Sequence, residues 1–357
     1  MVCLKVRSLT FLIPSKFLRD FSVIFGFIQD IVHEASKSFG LDVWTMRLAV
    51  DPQNFRDLPR LVEFLNDVSE PFNYYAIPLM CNSSINVDHI VDLLGDFDKL
   101  FISLYGGLDQ LRVFRDLLIA IRGKLPLEAF VKVSFSVGGN IVTPYFPSAS
   151  AGSTPMLSAS LLYVKSLIDG LNSGFPMLNT ILDCVKRVKG LLTYLAEHFK
   201  FPLVGLDLSI SPWMEESVVD LLEVFGNVKF GDIGTLKSIY DVNEVLKHAA
   251  SMEPSSIGFN EIMLPYAEDS KLMLLGSEGK LSAYDLLRYS SICVAGFDMA
   301  VLPRMDDGLL TRFLLDVYST LSVKGRPNGI RVILSDGDYG DTADLGFIGK
   351  APVMKLI

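Results

Sequence analysis

The feature of this sequence that most constrains its fold is an alternation of strand-like and helix-like segments from one end to the other. Residues 6–13 predict a first strand. Apolar residues then recur at helical spacing from Phe17 until Gly40, a residue suited to a left-handed helix cap. Continuous apolar strands such as 203–206 must be covered on both faces or closed into a ring. The alternation therefore predicts an α/β fold with about ten strands and about as many helices.

The middle of the chain interrupts this alternation. Residues 138–155 are dense in glycine, serine, proline and threonine and predict a long central loop. Loops of that length inside a compact domain are usually functional. The pattern then predicts two consecutive helices, at 157–171 and 178–199, and further along a short strand near 228–230.

No linker rich in proline, glycine and serine divides the chain, and no repeat of fixed period is present. We therefore predict a single domain over residues 1–357, ending in a glycine-rich C-terminal tail at 336–357. The cysteines are far apart and lack metal-ligand spacing, which favours a reduced, cytoplasmic protein with buried thiols. They are Cys3, Cys81, Cys184 and Cys293.

Composition limits the classes of partner, because the mean hydropathy is +0.38 and the net charge is −9. The longest apolar stretch, 9–32, is interrupted by charged residues and is too broken to be a membrane span or a signal peptide. The remaining explanation is a large core with apolar surface hidden by self-association, so we expect a homo-oligomer. The chain has no basic stripe for phosphates, so we expect no nucleic-acid partner.

Two aspartates lie inside apolar strands: Asp207 between two leucines and Asp298 between a phenylalanine and a methionine. A buried carboxylate is costly unless it is paired or hydrogen-bonded. Each is therefore either a general acid/base that acts on a ligand or a structural carboxylate. Arg7 and Arg47, also in apolar strands, are available as ion-pair partners for Asp207.

Other polar residues follow predicted strands, where α/β folds place their sites. Asn140 follows a pair of glycines, Ser209 comes shortly after Asp207, and Asn260 and Glu261 follow a glycine turn. These residues are candidates for binding a substrate, and the alternative is ordinary turn and loop polarity.

The tail contains a further candidate site. Asp341 belongs to a run of spaced aspartates that lacks the spacing and closing glutamate of a calcium loop, so we predict no metal site. Gly346 and Gly349, together with Lys350, are suited to cradling an anion through backbone N–H groups. The chain has no P-loop sequence, and we predict no cofactor.

Four segments resemble the domain-of-unknown-function family 711, also called uncharacterised protein family 0210. They come in the family's order and span nearly the whole chain: 6–10, 204–212, 292–299 and 340–354. The tail segment is the most specific of them, and Arg47 falls where the family has an arginine in its second strand. This chain is shorter than bacterial members in several loops and matches the family's central loop only in part.

The resemblance implies a pyruvate-formate-lyase-like barrel: about ten strands in two five-stranded halves, ringed by helices, with a central finger loop. In relatives of that fold that do radical chemistry, a glycine on a C-terminal loop carries the radical and a cysteine on the finger loop reacts. Here Arg331-Val332 is followed by Ile333-Leu334, which lacks the radical signature. Cys293 lies in an apolar stretch, where cysteine ordinarily acts as a small hydrophobe. We therefore expect a barrel without glycyl-radical chemistry.

Two functions fit these residues best. The first is a cytoplasmic enzyme acting on a small anionic or polar metabolite at the barrel mouth, with Asp207 and Asp298 as catalytic residues. Its substrate would be bound by Arg7, Arg47, Asn140, Ser209, Asn260, Glu261, Asp341, Gly346, Gly349 and Lys350. The second is a non-catalytic metabolite-binding or regulatory protein that uses the same cavity. A third hypothesis is that the protein is a structural oligomer without a binding pocket.

Overall fold

The computed structural model describes residues 4–68, 70–81, 85–292 and 296–357, which form twelve strands and thirteen α-helices. The strands are β1 Leu4–Leu12, β2 Leu41–Val43, β3 Met46–Ala49, β4 Tyr74–Met80, β5 Leu100–Gly106, β6 Val133–Val137, β7 Met156–Leu162, β8 Leu203–Asp207, β9 Phe297–Leu302, β10 Asn328–Leu334, β11 Thr342–Asp344 and β12 Lys350–Pro352.

The α-helices are α1 Leu18–Ser22, α2 Ile28–Ser38, α3 Leu58–Val68, α4 Val87–Asp96, α5 Leu108–Lys124, α6 Glu128–Val131, α7 Val164–Asn172, α8 Met177–Phe199, α9 Val218–Gly226, α10 Thr235–Met252, α11 Ser270–Ser277, α12 Ala283–Ser290 and α13 Asp307–Ser322. Short 3-10 helices lie at Ser15–Phe17, Phe25–Phe27, Phe55–Asp57, Tyr266–Glu268 and Gly346–Ile348. None of the helices in the described ranges has both the length and the apolar character that a bilayer crossing needs.

Ten strands form one mixed sheet in the order β8-β7-β1-β3-β4-β5-β6-β10-β9, with β2 beside β1. β1, β3, β4, β5 and β6 are parallel neighbours. β7 is antiparallel to β1 and β10 is antiparallel to β6, and each has a parallel partner on its outer side, β8 and β9 respectively. The α/β class and the ten strands therefore agree with the prediction.

The predicted ring is not continuous among the described residues, because the ladder ends at β8 on one side and β9 on the other. The segment 256–262 makes only isolated parallel bridges beside β8, at Leu206 with Ser256 and at Ile210 with Ile262. Its backbone leaves the extended conformation at Gly258 (φ +78°) and Asn260 (φ +55°), which prevents a regular ladder.

The helix predicted at 157–171 is wrong in its first half, where the chain forms β7. Apolar residues there alternate with Ser158 and Ser160, a two-residue period typical of a strand. Ser160 Oγ lies 2.7 Å from Ser8 Oγ, and Ser158 Oγ donates to the Thr10 carbonyl at 3.0 Å. Because β1 satisfies both hydroxyls, the strand buries its serines without cost to the sheet.

The strand predicted near 228–230 is also wrong. α9 ends at Gly226, Asn227 adopts a left-handed conformation (φ +47°), and the chain turns directly into α10. Glu223 Oε1 accepts the Phe230 N–H at 2.9 Å and holds this turn. The left-handed Gly40 after α2 (φ +62°) agrees with its prediction.

The central loop 138–155 connects β6 to β7 and packs on the sheet. Ala149 and Ala151 of the loop are buried in a small cluster with Ala49, Ala76 and Phe101, which lie on β3, β4 and β5. Alanine at these strand positions leaves room for the loop backbone, whose Ala151 N–H donates to the Val50 carbonyl at 2.9 Å. The loop therefore covers one face of the parallel strands.

The C-terminal tail also folds back onto the protein. β11 and β12 form a two-stranded antiparallel hairpin, and the Met354 N–H donates to the Val301 carbonyl of β9 at 3.0 Å. Leu345, Val353 and Met354 are fully buried. The 3-10 turn of this hairpin lies beside the site described next.

Candidate functional site

A cavity of about 260 Å³ lies between the sheet, the central loop and the tail. Arg47 of β3, Tyr74 of β4 and Phe101 of β5 form its sheet wall, Ser148 belongs to the central loop, and Phe347 to the 3-10 turn of the tail. The volume is just below the ~300 Å³ at which cavities begin to hold drug-sized ligands. The cavity therefore suits a smaller molecule.

A chain of buried ion pairs crosses one side of this cavity. Arg7 of β1 pairs with Glu268, and Arg331 Nη2 donates to the other carboxylate oxygen of Glu268 at 2.9 Å. Arg331 also donates to both oxygens of Asp298, from Nε at 2.6 Å and from Nη2 at 3.0 Å. β1 and β10 lie near opposite ends of the sheet, so these ion pairs bring side chains from both ends of the sheet together at Glu268.

Arg47 stands apart from this chain of ion pairs. Its Nε donates to Thr45 Oγ1 at 2.9 Å, and its guanidinium lies over the rings of Tyr74 and Phe146 at 5.8 and 5.1 Å. Within the described residues Arg47 has no carboxylate partner. Three arginines therefore face two carboxylates in the cavity wall, which leaves one net positive charge when all five are ionised.

Burial and neighbouring charges shift the pKa values of these groups in different directions. Burial, together with the charge of Arg7, lowers the pKa of Arg47 to about 10, so the side chain stays cationic at neutral pH. Burial raises the pKa of Asp298 although Arg331 opposes the shift. Burial also acts to raise the pKa of Glu268, but Arg7 and Arg331 outweigh it and leave the pKa below its usual value.

The rest of the lining is largely aromatic. Trp44 and Trp213 meet edge to face at 4.7 Å, and the guanidinium of Arg7 lies over both rings. On the Arg47 side the aromatic residues are Tyr74, Phe101, Phe146 and Phe347. The cavity thus combines one arginine without a carboxylate partner among the described residues with walls of aromatic side chains.

Of the predicted site residues, Arg7, Arg47 and Asp298 line the cavity. Asp207 is fully buried elsewhere, and its carboxylate is not part of the cavity lining. Asp207 Oδ2 accepts hydrogen bonds from Thr143 Oγ1 and the Phe259 N–H, both at 2.9 Å. Its partners are therefore protein groups from the central loop and from the segment beside β8.

The other oxygen of Asp207 brings two further predicted residues to the same place. Asp207 Oδ1 accepts from Ser209 Oγ at 2.6 Å and from the N–H groups of Ser209 and Asn260 at 3.1 Å each. Asn260 Oδ1 in turn accepts the Leu208 N–H at 3.0 Å. These residues form a buried joint, here called the Asp207 joint, that ties β8 to the central loop and to 258–261.

The remaining predicted residues lie apart from the cavity lining. Asn140 donates to Ser150 Oγ at 2.9 Å within the central loop, and Glu261 is buried in an ion pair with Arg326. In the tail, Asp341 Oδ2 accepts the Asp338 N–H of its own turn at 2.8 Å, and Lys350 is exposed. Gly346 and Gly349 flank Phe347 and Ile348, which do line the cavity.

The sequence prediction overlooked Arg331 and Glu268. Arg331 could have been found by the reasoning applied to Arg7 and Arg47, since it is also an arginine within an apolar strand. Glu268 lies in a short 3-10 turn with no pattern that marks it. In the part of the chain that the structure describes, no group of three or more His, Cys, Asp or Glu side chains is arranged to hold a metal ion.

The structure describes two of the four cysteines that were predicted to be buried thiols. Cys81 and Cys184 are free and buried, and burial raises the pKa of each to about 11, which disfavours a reactive thiolate. Cys3 and Cys293 lie outside the described residues, as do Val294 and Ala295 of the family-like segment 292–299.

Comparison with known proteins identifies the family. Residues 172–345 match the family model described as "Uncharacterised ACR (DUF711)". A UPF0210 protein of Sulfurisphaera tokodaii is 25% identical, with the match spanning 99% of this chain and 90% of the relative. The chain belongs to this family. The match to the Sulfurisphaera protein also takes in nearly all of the first 171 residues of this DUF711 protein, which contribute Arg7 and Arg47 to the cavity.

Other relatives agree with this assignment. A UPF0210 protein of Caldicellulosiruptor saccharolyticus is 22% identical over 93% of this chain and 83% of its own length. One from Pelobacter propionicus is 26% identical, but over 54% of this chain and 45% of its own length. The names of these DUF711 relatives state no activity, so a function for this member has to come from its cavity.

Proposed function

We propose that this DUF711 protein binds a small organic anion in the cavity and that Arg47 is the counter-ion. The observation that carries this proposal is the position of Arg47, a half-buried cation on the cavity wall with no carboxylate partner among the described residues. A cation withdrawn from water is costly until it is paired. An anion in the cavity would supply that pairing.

The other two arginines are less available to a ligand. Arg7 is held by Glu268 and by the Pro212 carbonyl, to which its Nη1 donates at 2.6 Å. Arg331 is held by Glu268 and by both oxygens of Asp298. Among the described residues, the one hydrogen bond of the Arg47 side chain runs from its Nε to Thr45. Its two terminal nitrogens are therefore suited to a bidentate contact with a carboxylate.

We further propose that the curved sheet is the main part of a pyruvate-formate-lyase-like barrel. Between the two edges of the ladder lies the segment 256–268, which bridges to the β8 side at Ser256 and Ile262 and contacts β9 through the turn Tyr266–Glu268. Without β2, which lies off the main path of the sheet, counting this segment as an irregular strand gives ten strands in two sets of five. That arrangement supports a barrel with its ligand site on the inside.

A catalytic function is the second candidate, and Asp298 supports it. Asp298 and Glu268 share Arg331, yet their pKa values shift in opposite directions, a pattern that separates acid from base in enzymes. Asp298 lines the cavity and would act as the general acid/base. Incubating the protein with each anion that binds, followed by mass spectrometry, tests this role. Turnover that Asp298→Asn abolishes while affinity persists supports it, and chemically unchanged ligand leaves binding alone.

The binding proposal is tested by Arg47→Met with Arg288→Met as the matched control. Arg288 also lies over a tyrosine ring, that of Tyr289 at 5.2 Å, but outside the cavity. Calorimetric titration with acetate and benzoate should show Arg47→Met weakening binding by about 10- to 150-fold, the value of a hydrogen bond to a charged group. Arg288→Met should bind as the wild type does. Equal affinities for all three proteins would refute the proposal.

The predicted cytoplasmic location, homo-oligomeric state and lack of a nucleic-acid partner stay predictions. The oligomeric state has some support on the surface, where Ile233, Leu236 and Tyr240 are exposed apolar side chains around the start of α10. Light scattering during size-exclusion chromatography measures it directly.

A further inference from the structure

We infer that the anion bound in this cavity is an aromatic carboxylate. This inference rests on the proposed function and specifies the class of ligand. It is carried by the arrangement of rings around Arg47, by the net charge of the cavity wall and by the cavity's size.

The aromatic rings on the Arg47 side form a connected set centred on Phe101. The Phe101 ring centroid lies 5.1 Å from Tyr74, 5.4 Å from Phe146 and 6.4 Å from Phe347, with interplanar angles of 69°, 73° and 66°. Tyr74 and Phe347 also meet, at 5.5 Å. The three Phe101 contacts are edge to face, a geometry in which aromatic rings attract one another, and the Tyr74–Phe347 contact is tilted. All four rings line the cavity, so a ligand ring can extend the same packing.

The position of Arg47 determines where the carboxylate of the proposed ligand would lie relative to the aromatic side chains. Because the guanidinium lies over the rings of Tyr74 and Phe146, an anion that pairs with it is already beside those rings. Phe101 and Phe347 both contact Tyr74, so the rest of the ligand would lie close to these two rings. Phe347 is 43% exposed and forms the outer wall, so the ligand's far end meets the tail.

The charge of the cavity favours a carboxylate over a phosphate. When all five charged groups of the wall are ionised, they leave one net positive charge. A singly charged carboxylate would neutralise it, whereas a phosphate dianion would leave an uncompensated negative charge in a buried site. The cavity of about 260 Å³ also limits the ligand to a small molecule.

Three probes separate the contributions of charge and ring. Benzoate has both, benzamide keeps the ring without the charge, and cyclohexanecarboxylate keeps the charge without the aromatic ring. Calorimetric titration of the full chain at pH 7 should give benzoate about 3- to 10-fold higher affinity than cyclohexanecarboxylate, the value of an aromatic pair. Benzamide should bind at least about tenfold more weakly than benzoate. The saturated ring is no less hydrophobic than benzoate, so apolar burial alone would not produce the first preference.

Each outcome bears on a different step. Benzoate and cyclohexanecarboxylate binding equally would overturn the aromatic inference and leave the anion proposal standing. Benzamide binding as well as benzoate would overturn the anion proposal itself. Failure of all three probes at millimolar concentration would overturn both.

Phe101→Leu provides a variant test, because leucine keeps apolar volume and removes the ring. The preference for benzoate over cyclohexanecarboxylate should shrink toward parity. Phe114→Leu is the matched control, since Phe114 is a buried ring beside Phe135 outside the cavity lining. If Phe101→Leu does not fold, Phe347→Leu removes a more exposed ring of the same set, with Phe175→Leu as its exposed control. An undiminished preference in the folded Phe101 or Phe347 variant would overturn the inference.

Discussion

Replacing Asp207 with asparagine should destabilise the protein while leaving the cavity able to bind an anion. Asp207 accepts five hydrogen bonds, two on Oδ2 and three on Oδ1, all from protein groups of the Asp207 joint. Asparagine keeps one acceptor oxygen and replaces the other with a donor. Thr143 can turn its hydroxyl to accept from that donor, but the Phe259 N–H cannot, so a buried donor is left facing another donor.

The magnitude follows from these contacts. An unpaired buried donor costs about 1–3 kcal/mol, and the remaining bonds weaken because their acceptor is no longer charged. Removing the charge also relieves the burial that raises the pKa of Asp207, which offsets part of this loss. We therefore expect a net loss of about 2–3 kcal/mol. For a chain of 357 residues this lowers the melting temperature by about 3–4 °C.

Differential scanning calorimetry measures this change, with Asp241→Asn as the matched control. Asp241 pairs with Lys237 on the surface of α10 at 2.6 Å, and such a pair contributes no more than about 0.5 kcal/mol. Its variant should melt within about 1 °C of the wild type. An Asp207→Asn protein that keeps the wild-type melting temperature but loses anion binding or turnover would refute the structural role and return Asp207 to the site.

Two further predictions concern groups around this joint and at the start of α11. Gly258→Ala should lower the melting temperature more than Asp207→Asn does, because its Cβ would lie 2.0 Å from Asp207 Oδ2 at a φ of +78°; Gly139→Ala, at a φ of +109° with no atom within 4 Å, isolates the backbone strain in the same calorimetry. Burial raises the pKa of Asp269 to about 6, so the folded protein holds this proton more tightly than the unfolded chain does, and about 3 kcal/mol of stability present below pH 4 is lost as the pH rises through 6. Asp269→Asn should remove that fall in urea unfolding measured from pH 4 to 7, and an unchanged pH profile would contradict it.

The sequence allowed the fold class to be predicted because apolar periodicity and strand burial are local signals. It failed at β7, although the alternation of serine with apolar residues there is a strand signal. What the sequence does not show is that β1 satisfies the buried serine hydroxyls. The same limit applies to the site. Asp207 and Asp298 have similar surroundings in the sequence. In the structure, Asp207 is surrounded by hydrogen-bond donors, whereas Asp298 pairs with Arg331. That difference depends on contacts between segments that are distant in the chain.

The charge balance of the cavity explains why the proposed ligand would bind at Arg47 rather than elsewhere. Glu268 pairs with both Arg7 and Arg331, and both oxygens of Asp298 accept hydrogen bonds from Arg331. The two carboxylates are therefore paired with these two arginines. Arg47 is left with the repulsion of Arg7 and the cost of burial, which together lower its pKa. Pairing with a bound carboxylate would offset both penalties. Relief of the unfavourable state of Arg47 would therefore contribute to the affinity for the proposed anion, and that contribution would be absent at an exposed arginine such as Arg288.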